Sequence, residues 1–418
     1  MDNLVLLTSN FPFNNGESFL ESEIPYLDQY FKKIIIISQN VRSQQKRIVP
    51  SGCSVFRYNP STSLKGFFLL PKLIYDNFKL IRDSLSIEIR FRKEIRKSLT
   101  LFQTGYLVKK VVKAIQLRDF ISEILSYEIG HEDVVLYSYW LNTGAQAIAM
   151  LNRINGIKIA RAHGSDLYEE YNKSGYLPLF KHLAENLNAI FFVSENGLNY
   201  FKSRVKKSLA HLLIARLGVN NSTDYRQWKD SQTFVIVSCS NLIPLKRIDL
   251  LIKSLALLVP VKEVSWIHFG DGILRKELED LASFKLGNKE NIKFTFAGHI
   301  LNYKLMEYYN LNQIDLFINT SITEGVPVSI MEAQSFSIPV IATDVGGIKE
   351  IVGPGSGILL QPDFDPLELA KGIEFFMRLP TVELENFRKK AKESWERNFN
   401  ASKNYPDFID KVNSIFTV

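Results

Sequence analysis

Short apolar runs alternate with helical stretches along the chain, and this alternation constrains the fold more than any other feature. The runs are rich in β-branched residues, as is typical of parallel strands buried on both faces. They lie at 4–9, 33–38, 133–138, 157–162 and 189–194, and again at 233–240, 264–270, 292–298, 314–320 and 339–343. Intervening helices are predicted at 143–156, 247–258 and 273–284. The pattern predicts an α/β protein with two doubly wound Rossmann-like domains.

The break between the domains is predicted in a polar stretch without periodicity, residues 217–233. This gives an N-terminal domain over 1–217 and a C-terminal domain over 218–390. The aromatic-rich segment 391–418 is predicted to be helical and to pack back on the N-terminal domain. A hinge at the break would make the two sheets face each other across a cleft, at the strand ends where such folds bind ligands.

Composition narrows the class of protein. The 418 residues are 46% apolar and 23% charged, with a mean hydropathy of −0.03. Cys53 and Cys239 lie in no CxxC or metal-type spacing, which favours reduced thiols in the cytoplasm. The first ten residues carry an early acidic residue and read as a buried strand, not a signal peptide. No apolar run approaches the roughly 20 residues of a membrane-spanning helix.

The net charge of +7 comes mainly from one region, 65–118, which has thirteen Lys and Arg against four Asp and Glu. Bases alternate there with large apolar residues, so three interpretations stay open. The region could present a solvated basic helix face, rest on an anionic membrane surface, or bind nucleic acid. No nucleic-acid module accompanies the charge, so no nucleic-acid partner is expected.

The segment EGVPVSIME, from Glu324 to Glu332, follows a predicted strand and enters a predicted helix near Pro327. Proline is well tolerated at the first helical turn, and the N–H groups there can bind an anion. One carboxylate lies in the loop and one on the helix, so both could point into one cleft. Gly346 and Gly347 form a second tight turn. Backbone donors suit a diphosphate, and carboxylates suit sugar hydroxyls.

This segment resembles the E-x7-E motif of the family-four retaining glycosyltransferases, which have the GT-B fold. The resemblance extends through most of the chain and is strongest in its C-terminal two-fifths. Similar stretches are SCSNLIPLKRIDLLIKSL (238–255), HFGDGILRKELE (268–279), FAGHI (296–300) and, in the N-terminal half, RAHGSDLYEE (161–170).

The resemblance implies a role for each matching residue. Glu324 would face the transferred sugar, Glu332 would bind the nucleotide ribose, and Lys246 would pair with the diphosphate and stabilise the leaving group. His163 would lie against the sugar and stabilise positive charge at the anomeric carbon. The remaining residues expected at the donor are Gly16, Arg247, Gly270, Gly272, Gly325, Val326 and Pro327.

The sequence departs from the family pattern in two places. An arginine is expected about five residues before Lys246, and Asn241 occupies that position. Arg247 could compensate, although adjacent residues point in different directions. Gly16 stands alone where relatives often have two glycines.

Three other polar groups have simpler structural explanations. His268, at a strand end, is at least as well explained by backbone hydrogen bonding as by ligand contact. Asp271, between two glycines, is expected to form a turn. Asp363 and Asp365 resemble a DxD metal motif, but Asp365 followed by Pro and then Glu368 predicts a helix cap. No metal and no other cofactor are therefore expected.

The predicted function is transfer of a sugar from a UDP- or GDP-sugar to a polyprenyl-diphosphate-linked glycan, with retention of configuration. The predicted pathway is bacterial capsule, exopolysaccharide or O-antigen assembly. The expected location is the cytoplasm, either free or peripheral on the inner face of the membrane. Two alternatives stay open: a nucleotide-sugar epimerase on a similar scaffold, and a non-catalytic GT-B subunit that activates a partner transferase.

Overall fold

A computed structural model describes residues 2–13, 16–41, 47–59, 71–151, 154–172, 174–221, 223 and 231–416. Contacts divide the chain into two compact units. Unit 1 comprises residues 1–216 together with 404–418, and unit 2 comprises residues 217–403. The final segment therefore does not group as one piece: residues 391–403 belong to unit 2, and only the residues from 404 onward belong to unit 1.

Within the described residues, unit 1 contains a parallel sheet of seven strands in the order β3-β2-β1-β4-β5-β6-β7. The strands are β1 (Asn3–Thr8), β2 (Lys33–Ser38), β3 (Cys53–Arg57), β4 (Val134–Ser138), β5 (Gly156–Ala162), β6 (Ala189–Phe192) and β7 (His211–Ile214). Its helices are α1 (Leu20–Tyr30), α2 (Phe78–Glu94), α3 (Leu101–Glu128), α4 (Thr143–Ala149), α5 (Phe180–Asn186) and α6 (Glu195–Arg204), with a 3₁₀ turn at Glu169–Tyr171.

Unit 2 contains, in its described part, a parallel sheet of six strands in the order β10-β9-β8-β11-β12-β13. The strands are β8 (Thr233–Cys239), β9 (Glu263–Phe269), β10 (Ile292–Gly298), β11 (Leu316–Asn319), β12 (Val340–Thr343) and β13 (Gly357–Leu360). The helices from here to the chain end are α7 (Ile248–Leu257), α8 (Arg275–Leu286), α9 (Asn302–Leu311), α10 (Val328–Ser335), α11 (Pro366–Arg378), α12 (Thr381–Asn398) and α13 (Ala401–Phe416). Short 3₁₀ turns lie at Pro244–Lys246 and Ile348–Glu350.

The ten predicted strands are all confirmed, with boundaries shifted by at most two residues. The three strands that the sequence pattern missed, β3, β7 and β13, each lie at the edge of a sheet. These three strands are only partly buried, so they lack the continuous apolar runs of the central strands. The helix predicted at 143–156 is shorter than expected, because it ends at Ala149 and β5 begins at Gly156.

Each sheet is buried by its own hydrophobic core. Strands β1, β2 and β4 are almost wholly apolar and buried, and helices α3 and α4 pack on them. In unit 2, Trp266 on β9 is fully buried in the core that α7 and α11 complete. Removing this apolar surface from water is the main stabilising contribution, at roughly 25 cal/mol per Å².

A buried ion pair and the side chains around it join four elements of unit 1. Arg161 on β5 lies 2.6 Å from Glu23 on α1, and neither side chain is exposed to solvent. Tyr137 also donates to Glu23, over 3.2 Å, and the Arg161 guanidinium lies 4.3 Å from the centre of the Phe408 ring on α13. These contacts fix α1, and with it the loop that precedes α1, against the sheet.

A second buried arginine serves unit 2. Arg388 on α12 donates to the carbonyl of Ile314 and to the carboxylate of Asp315, over 3.0 and 2.9 Å. The other carboxylate oxygen of Asp315 accepts from the amide of Val235, at the start of β8. The helix is thereby tied to the beginnings of two central strands, because each of these buried polar groups requires a partner.

None of the helices in the described part of the chain is both long enough and apolar enough to cross a membrane.

The buried ion pair gives a stability prediction. Arg161→Met leaves Glu23 as an uncompensated buried charge, which should lower the free energy of unfolding by about 3–5 kcal/mol. Glu23→Gln combined with Arg161→Met removes both charges and keeps an acceptor for Tyr137, so it should recover most of that loss. Urea unfolding of the full chain measures both values.

The control is Arg204→Met, which breaks a partly exposed ion pair with Glu170 in the same unit, with side chains 21% and 51% exposed. That loss should be below about 1 kcal/mol. A double variant no more stable than Arg161→Met alone would contradict this account of the buried pair.

Candidate functional site

The polar loops of unit 2 gather where the strand order changes direction. Strands β8 and β11 are neighbours in the sheet although two strands separate them in sequence. Loops that leave two such strands at their carboxyl ends diverge to opposite faces and open a crevice, which is the usual ligand site of these folds. Lys246 lies in the loop after β8, and Glu324 lies in the loop after β11.

Lys246 and Glu324 form an ion pair at this point. The Lys246 ammonium is 2.5 Å from Oε1 of Glu324, and the two side chains are 21% and 12% exposed. Ser321 donates its hydroxyl to the same oxygen over 2.6 Å, and Asn319 lies 3.4 Å from it. Three donors therefore fix the carboxylate, which remains in contact with solvent and could accept hydrogen bonds from a ligand.

Arg247 holds the loop of Glu324 in place. Its three guanidinium nitrogens donate to the carbonyls of Thr320, Ser321 and Pro362, over 2.7, 3.3 and 2.5 Å. Its backbone has a left-handed conformation, with φ of 46°, and burial lowers the pKa of its guanidinium. The sequence suggested that Arg247 replaces the arginine missing at Asn241. In the structure, however, the Arg247 guanidinium already has three hydrogen-bond partners within the protein.

Glu332 lies on the second turn of α10, as the motif predicted, and its side chain is buried. Asn302, the first residue of α9, donates to its Oε1 over 2.5 Å. Burial raises the pKa of Glu332 to about 7. Its carboxyl group therefore changes charge near neutral pH, where an exposed glutamate would be fully ionised.

The backbone around Glu324 is packed too tightly for side chains. A Cβ on Gly346 would lie 1.8 Å from the carbonyl oxygen of Glu324, and Gly346 has a φ of 56°. The amide of Gly347 donates to Gly325 over 2.8 Å. Val326 is buried, and Pro327 is the residue just before α10, one position earlier than the first helical turn predicted for it.

Gly270 and Gly272 bring the loop after β9 onto the loop after β8. A Cβ on Gly270, which has a φ of 140°, would lie 1.8 Å from the carbonyl of Ser240, and one on Gly272 would lie 2.4 Å from that of Leu242. Asp271 caps this turn by accepting from the Gly272 amide over 2.7 Å, as predicted. These glycines serve close packing between two loops; their contact with a donor stays a prediction.

His268 is a buried structural residue. Its two ring nitrogens lie 2.8 Å from the Ser238 hydroxyl and 3.1 Å from the Ser240 carbonyl. Burial lowers its pKa to about 4, so the ring is neutral at physiological pH. Of the two interpretations offered by the sequence, the structure supports hydrogen bonding within the protein.

Unit 1 has its own change of direction, between β1 and β4. A cavity of about 430 Å³ lies there, lined by loops after β1, β4 and β5 and by helix α3. Gly16 is part of its lining, and the space beside Gly16 is limited by the Asn10 side chain, 3.2 Å from where a Cβ would be.

Glu17, next to Gly16, accepts hydrogen bonds from the backbone amides that follow β1. Its carboxylate accepts from the backbone N–H groups of Ser9, Asn10 and Phe11 over 2.6–2.9 Å. The indole N–H of Trp140 donates to the same carboxylate. The resemblance implied that this loop would approach phosphates, but an internal carboxylate already fills the anion position that these three amides form.

His163 follows β5 and is buried among aromatic rings. The centroid of its ring lies 4.5 Å from that of Trp140, 4.9 Å from that of Tyr139 and 5.9 Å from that of Phe19. Nε2 is 3.0 Å from the Tyr139 carbonyl, which can only accept, so Nε2 carries the proton and Nδ1 is left as an acceptor. Burial, followed by the charge of Arg161, lowers the pKa of His163 to about 3. The ring is therefore neutral at physiological pH.

The structure thus joins Lys246 to Glu324 directly and places Glu332 on the helix that follows. Gly16 and His163 belong to unit 1, where both lie near Trp140. Sequence reasoning missed several residues that hold these groups, among them Asn302, Ser321, Glu17 and Trp140. Glu17 could have been noticed beside Gly16, whereas Asn302 gives no local signal because it lies thirty positions from its partner.

Asp365 begins α11 as a helix cap, which confirms the interpretation of the DxD-like sequence. Its carboxylate accepts from the Leu367 amide over 2.8 Å, and Glu368 accepts from the Asp365 amide over 3.2 Å. In the ranges that the structure describes, no three His, Cys, Asp or Glu side chains cluster as metal ligands would.

Residues 222–394 match the family model for glycosyl transferases group 1. Among curated relatives, WcaL of Escherichia coli K12, named for colanic acid biosynthesis, is 38% identical over 96 residues, which are 22% of this chain and 24% of WcaL. The O-antigen biosynthesis glycosyltransferase WbnH of E. coli is 35% identical over 89 residues, 21% of this chain and 25% of WbnH. The chain thus spans about a quarter of the length of either relative.

The likeness of fold extends over the whole chain. A crystal structure of HepE from Anabaena, in complex with UDP and glucose, has a TM-score of 0.62 and 18% sequence identity, and the match covers 99% of this chain and 100% of HepE. The two parallel-sheet, Rossmann-like halves are those of the GT-B fold, which confirms the predicted fold class. The match to the family model of the group 1 glycosyl transferases covers residues 222–394, which lie within unit 2.

Proposed function

We propose that the chain is a retaining glycosyltransferase that moves a sugar from a UDP- or GDP-sugar to a lipid-linked glycan in cell-surface polysaccharide biosynthesis. The observation that carries this proposal is the Lys246–Glu324 pair at the change of strand order in the unit that matches the family. The curated relatives named for colanic acid and O-antigen biosynthesis support the pathway.

Lys246 and Glu324 divide the work at the donor. The Lys246 ammonium pairs with the diphosphate and stabilises the charge that grows on it as the bond from the anomeric carbon to phosphate breaks. Glu324, fixed by three donors, accepts hydrogen bonds from the hydroxyls of the transferred sugar. The new bond to the acceptor oxygen forms on the same face, and the acceptor proton passes to the departing phosphate. No metal is needed for this step.

Glu332 binds the nucleotide ribose in this proposal. Its burial and the hydrogen bond from Asn302 leave one carboxylate oxygen for the ribose hydroxyls. The UDP bound to HepE, a protein of the same fold, supports a nucleotide at this end of the reaction. His163, neutral and fixed by Tyr139, has Nδ1 available as an acceptor and can offset positive charge at the anomeric carbon.

An exposed stripe on α2 supports an anionic membrane surface as the location of the acceptor. A helix turns about 100° per residue, so positions 78, 82, 89 and 93 fall within about 60° of one another. Phe78 and Ile89 are 61% and 44% exposed, and Arg82 and Lys93 are exposed beside them. Apolar side chains flanked by bases are typical of helices that rest on anionic lipid.

The basic region does not act as a single surface. Arg92 is buried and paired with Glu88, over 2.9 Å, and with Glu169, so its charge is neutralised inside the protein. Residues 65–70 lie outside the described residues. The membrane proposal therefore depends on the stripe of α2 and on Leu101 and Phe102, which are 95% and 71% exposed at the start of α3. The acceptor is a polyprenyl-diphosphate-linked glycan at the inner face.

Glu324→Gln should reduce sugar transfer by at least 100-fold, because the amide keeps the shape but loses the charge that pairs with Lys246 and binds the sugar. Transfer is measured with a panel of UDP- and GDP-sugars and a lipid-linked acceptor. The matched control is Glu307→Gln, which removes an exposed carboxylate from α9 and should leave transfer unchanged. Near-normal turnover of folded Glu324→Gln would contradict the assignment.

The same assay separates the alternatives. Incubation with donor alone would yield an epimer if the protein were an epimerase. Donor binding without transfer to any acceptor would instead indicate a non-catalytic subunit.

The raised pKa of Glu332 predicts that UDP affinity depends on pH. Because that pKa is about 7, the carboxyl group is mostly protonated at pH 6 and mostly ionised at pH 8. An ionised carboxylate accepts the stronger hydrogen bond, so wild-type affinity should rise across this range by about fivefold more than that of Glu332→Gln. Calorimetric titration measures both proteins, and comparison with the variant cancels the titration of UDP itself. Parallel profiles for the two proteins would argue against the ribose contact.

Vesicle sedimentation tests the membrane surface. Phe78→Ser combined with Ile89→Ser should reduce binding to phosphatidylserine vesicles at low salt by about tenfold, because two apolar anchors are lost. Phe284→Ser, which changes an exposed phenylalanine of unit 2 (80% exposed), should bind as wild type does. Equal binding of wild type to neutral and anionic vesicles, or none to either, would remove the membrane surface from the proposal.

A further inference from the structure

The cavity of unit 1 is lined by aromatic, charged and polar side chains that have no role in the proposed binding of the donor. It measures about 430 Å³, which is within the usual range of small-ligand sites. Aromatic rings form much of its wall, including those of Phe19, Tyr106 and Trp140. The carbon-bound hydrogens of a sugar ring form an apolar face, and aromatic side chains offer that face a large flat contact.

The two acidic residues in the wall are already satisfied. Glu17 accepts from three backbone amides and from the Trp140 indole. Asp166 accepts from the amides of Leu141 and His163, over 2.7 and 2.9 Å. These carboxylates therefore stabilise the loops around the cavity, and their charge is offset by dipoles of the protein itself.

Lys110 brings an uncompensated positive charge to the same wall. Its ammonium lies 5.4 Å from the centre of the Tyr106 ring, and among the described residues no carboxylate pairs with it. Lys109 and Lys113 lie within one turn, and the first acidic residue of α3 is Asp119. Burial and the charge of Lys109 lower the pKa of Lys110. Like charges at this spacing repel each other, so an anion beside Lys110 would be stabilised.

Gln146 on α4 supplies an acceptor that lacks a donor. Its side chain is only 3% exposed and lines the cavity. Its amide nitrogen donates to the carbonyl of Pro178 over 3.3 Å, and this fixes which atom of the amide is nitrogen and which is oxygen. Oε1 has no hydrogen-bond partner in the described residues. A buried acceptor of this kind costs free energy until a ligand hydroxyl donates to it.

We infer that the cavity of unit 1 binds an acidic sugar, with a carboxylate or phosphate at Lys110 and a hydroxyl donating to Gln146. An anion would neutralise the charge of Lys110, a hydroxyl would donate to the free oxygen of Gln146, and an apolar face would pack on the aromatic rings. An acidic saccharide has all three. This inference rests on the proposed function, because it names the class of acceptor sugar that the transferase recognises: one with a negative charge on the accepting residue or next to it.

Ligand-observed NMR titrations test the inference with three probes: glucuronic acid, glucose 6-phosphate and glucose. The wild-type protein should bind at least one acidic probe about tenfold more tightly than glucose, and the two acidic arms show which anion is preferred. Lys110→Met should abolish that preference and leave glucose binding unchanged. Gln146→Leu should weaken the acidic and neutral probes by the same factor, because it removes a contact to a hydroxyl.

Lys109→Met is the matched control, since it removes the same charge one residue away at an exposed position. It should keep the preference for acidic sugars. An equal loss in Lys109→Met and Lys110→Met would reduce the effect to overall charge and overturn the inference. It would also be overturned if neither acidic probe bound more tightly than glucose to the wild type.

UDP titrations separate this inference from the proposed function. Lys110→Met should bind UDP as the wild type does, because Lys110 is assigned to the acceptor. Loss of UDP affinity in that variant would instead assign Lys110 to the donor and overturn the inference. Transfer that depends on Glu324 but proceeds equally well to acidic and neutral acceptors would leave the transferase standing and reject the acidic acceptor alone.

Discussion

The parallel arrangement of both sheets is the constraint on which the rest of this molecule depends. Central strands buried on both faces must be apolar along their whole length, so almost no functional polar group can lie within them. Polar side chains collect in the loops at the carboxyl ends instead, and the change of strand order decides which loops adjoin. In unit 2 this brings the loop of Lys246 to the loop of Glu324, and in unit 1 it brings the loop of Gly16 to that of Trp140.

The two units differ in how the charged side chains in these loops are paired. In unit 1, three backbone amides of the loop after β1 donate to the carboxylate of Glu17. These hydrogen bonds make the loop rigid and leave its amides unavailable to a phosphate. In unit 2 the corresponding charges are those of Lys246 and Glu324, which remain partly exposed and neutralise each other. A donor diphosphate can compete for Lys246 at the cost of one partly exposed ion pair. Competing for the amides after β1 would mean displacing a buried carboxylate from four hydrogen bonds, which costs far more.

The sequence predicted what local patterns encode. Central strands have continuous apolar runs and were all found, whereas the edge strands β3, β7 and β13 are half-exposed and were missed. The segment from Glu324 to Glu332 was predicted from its position between a strand and a helix, and Lys246 was implied by the family resemblance; the structure brings the two side chains Lys246 and Glu324 together as a pair. Long-range partners could not be predicted: Asn302 reaches Glu332 from another helix, and Lys110 reaches its cavity from α3. Such contacts depend on how elements pack, which no local spacing records.

Asn241 shows how a departure from a family pattern acquires a physical meaning. A second cation was expected there, and Arg247 was the candidate to replace it. Arg247 instead donates to three carbonyls, two of which, those of Thr320 and Ser321, belong to the loop of Glu324 itself. If the Arg247 guanidinium turned to a phosphate, those partly buried carbonyls would lose their donors and the loop would lose its support. The phosphate would gain one positive charge, but Glu324, the residue that must be positioned most accurately, would no longer be held in place. In the proposed mechanism, Lys246 is therefore the side chain through which this loop neutralises a diphosphate, and the remaining stabilisation of the leaving group would come from backbone amides.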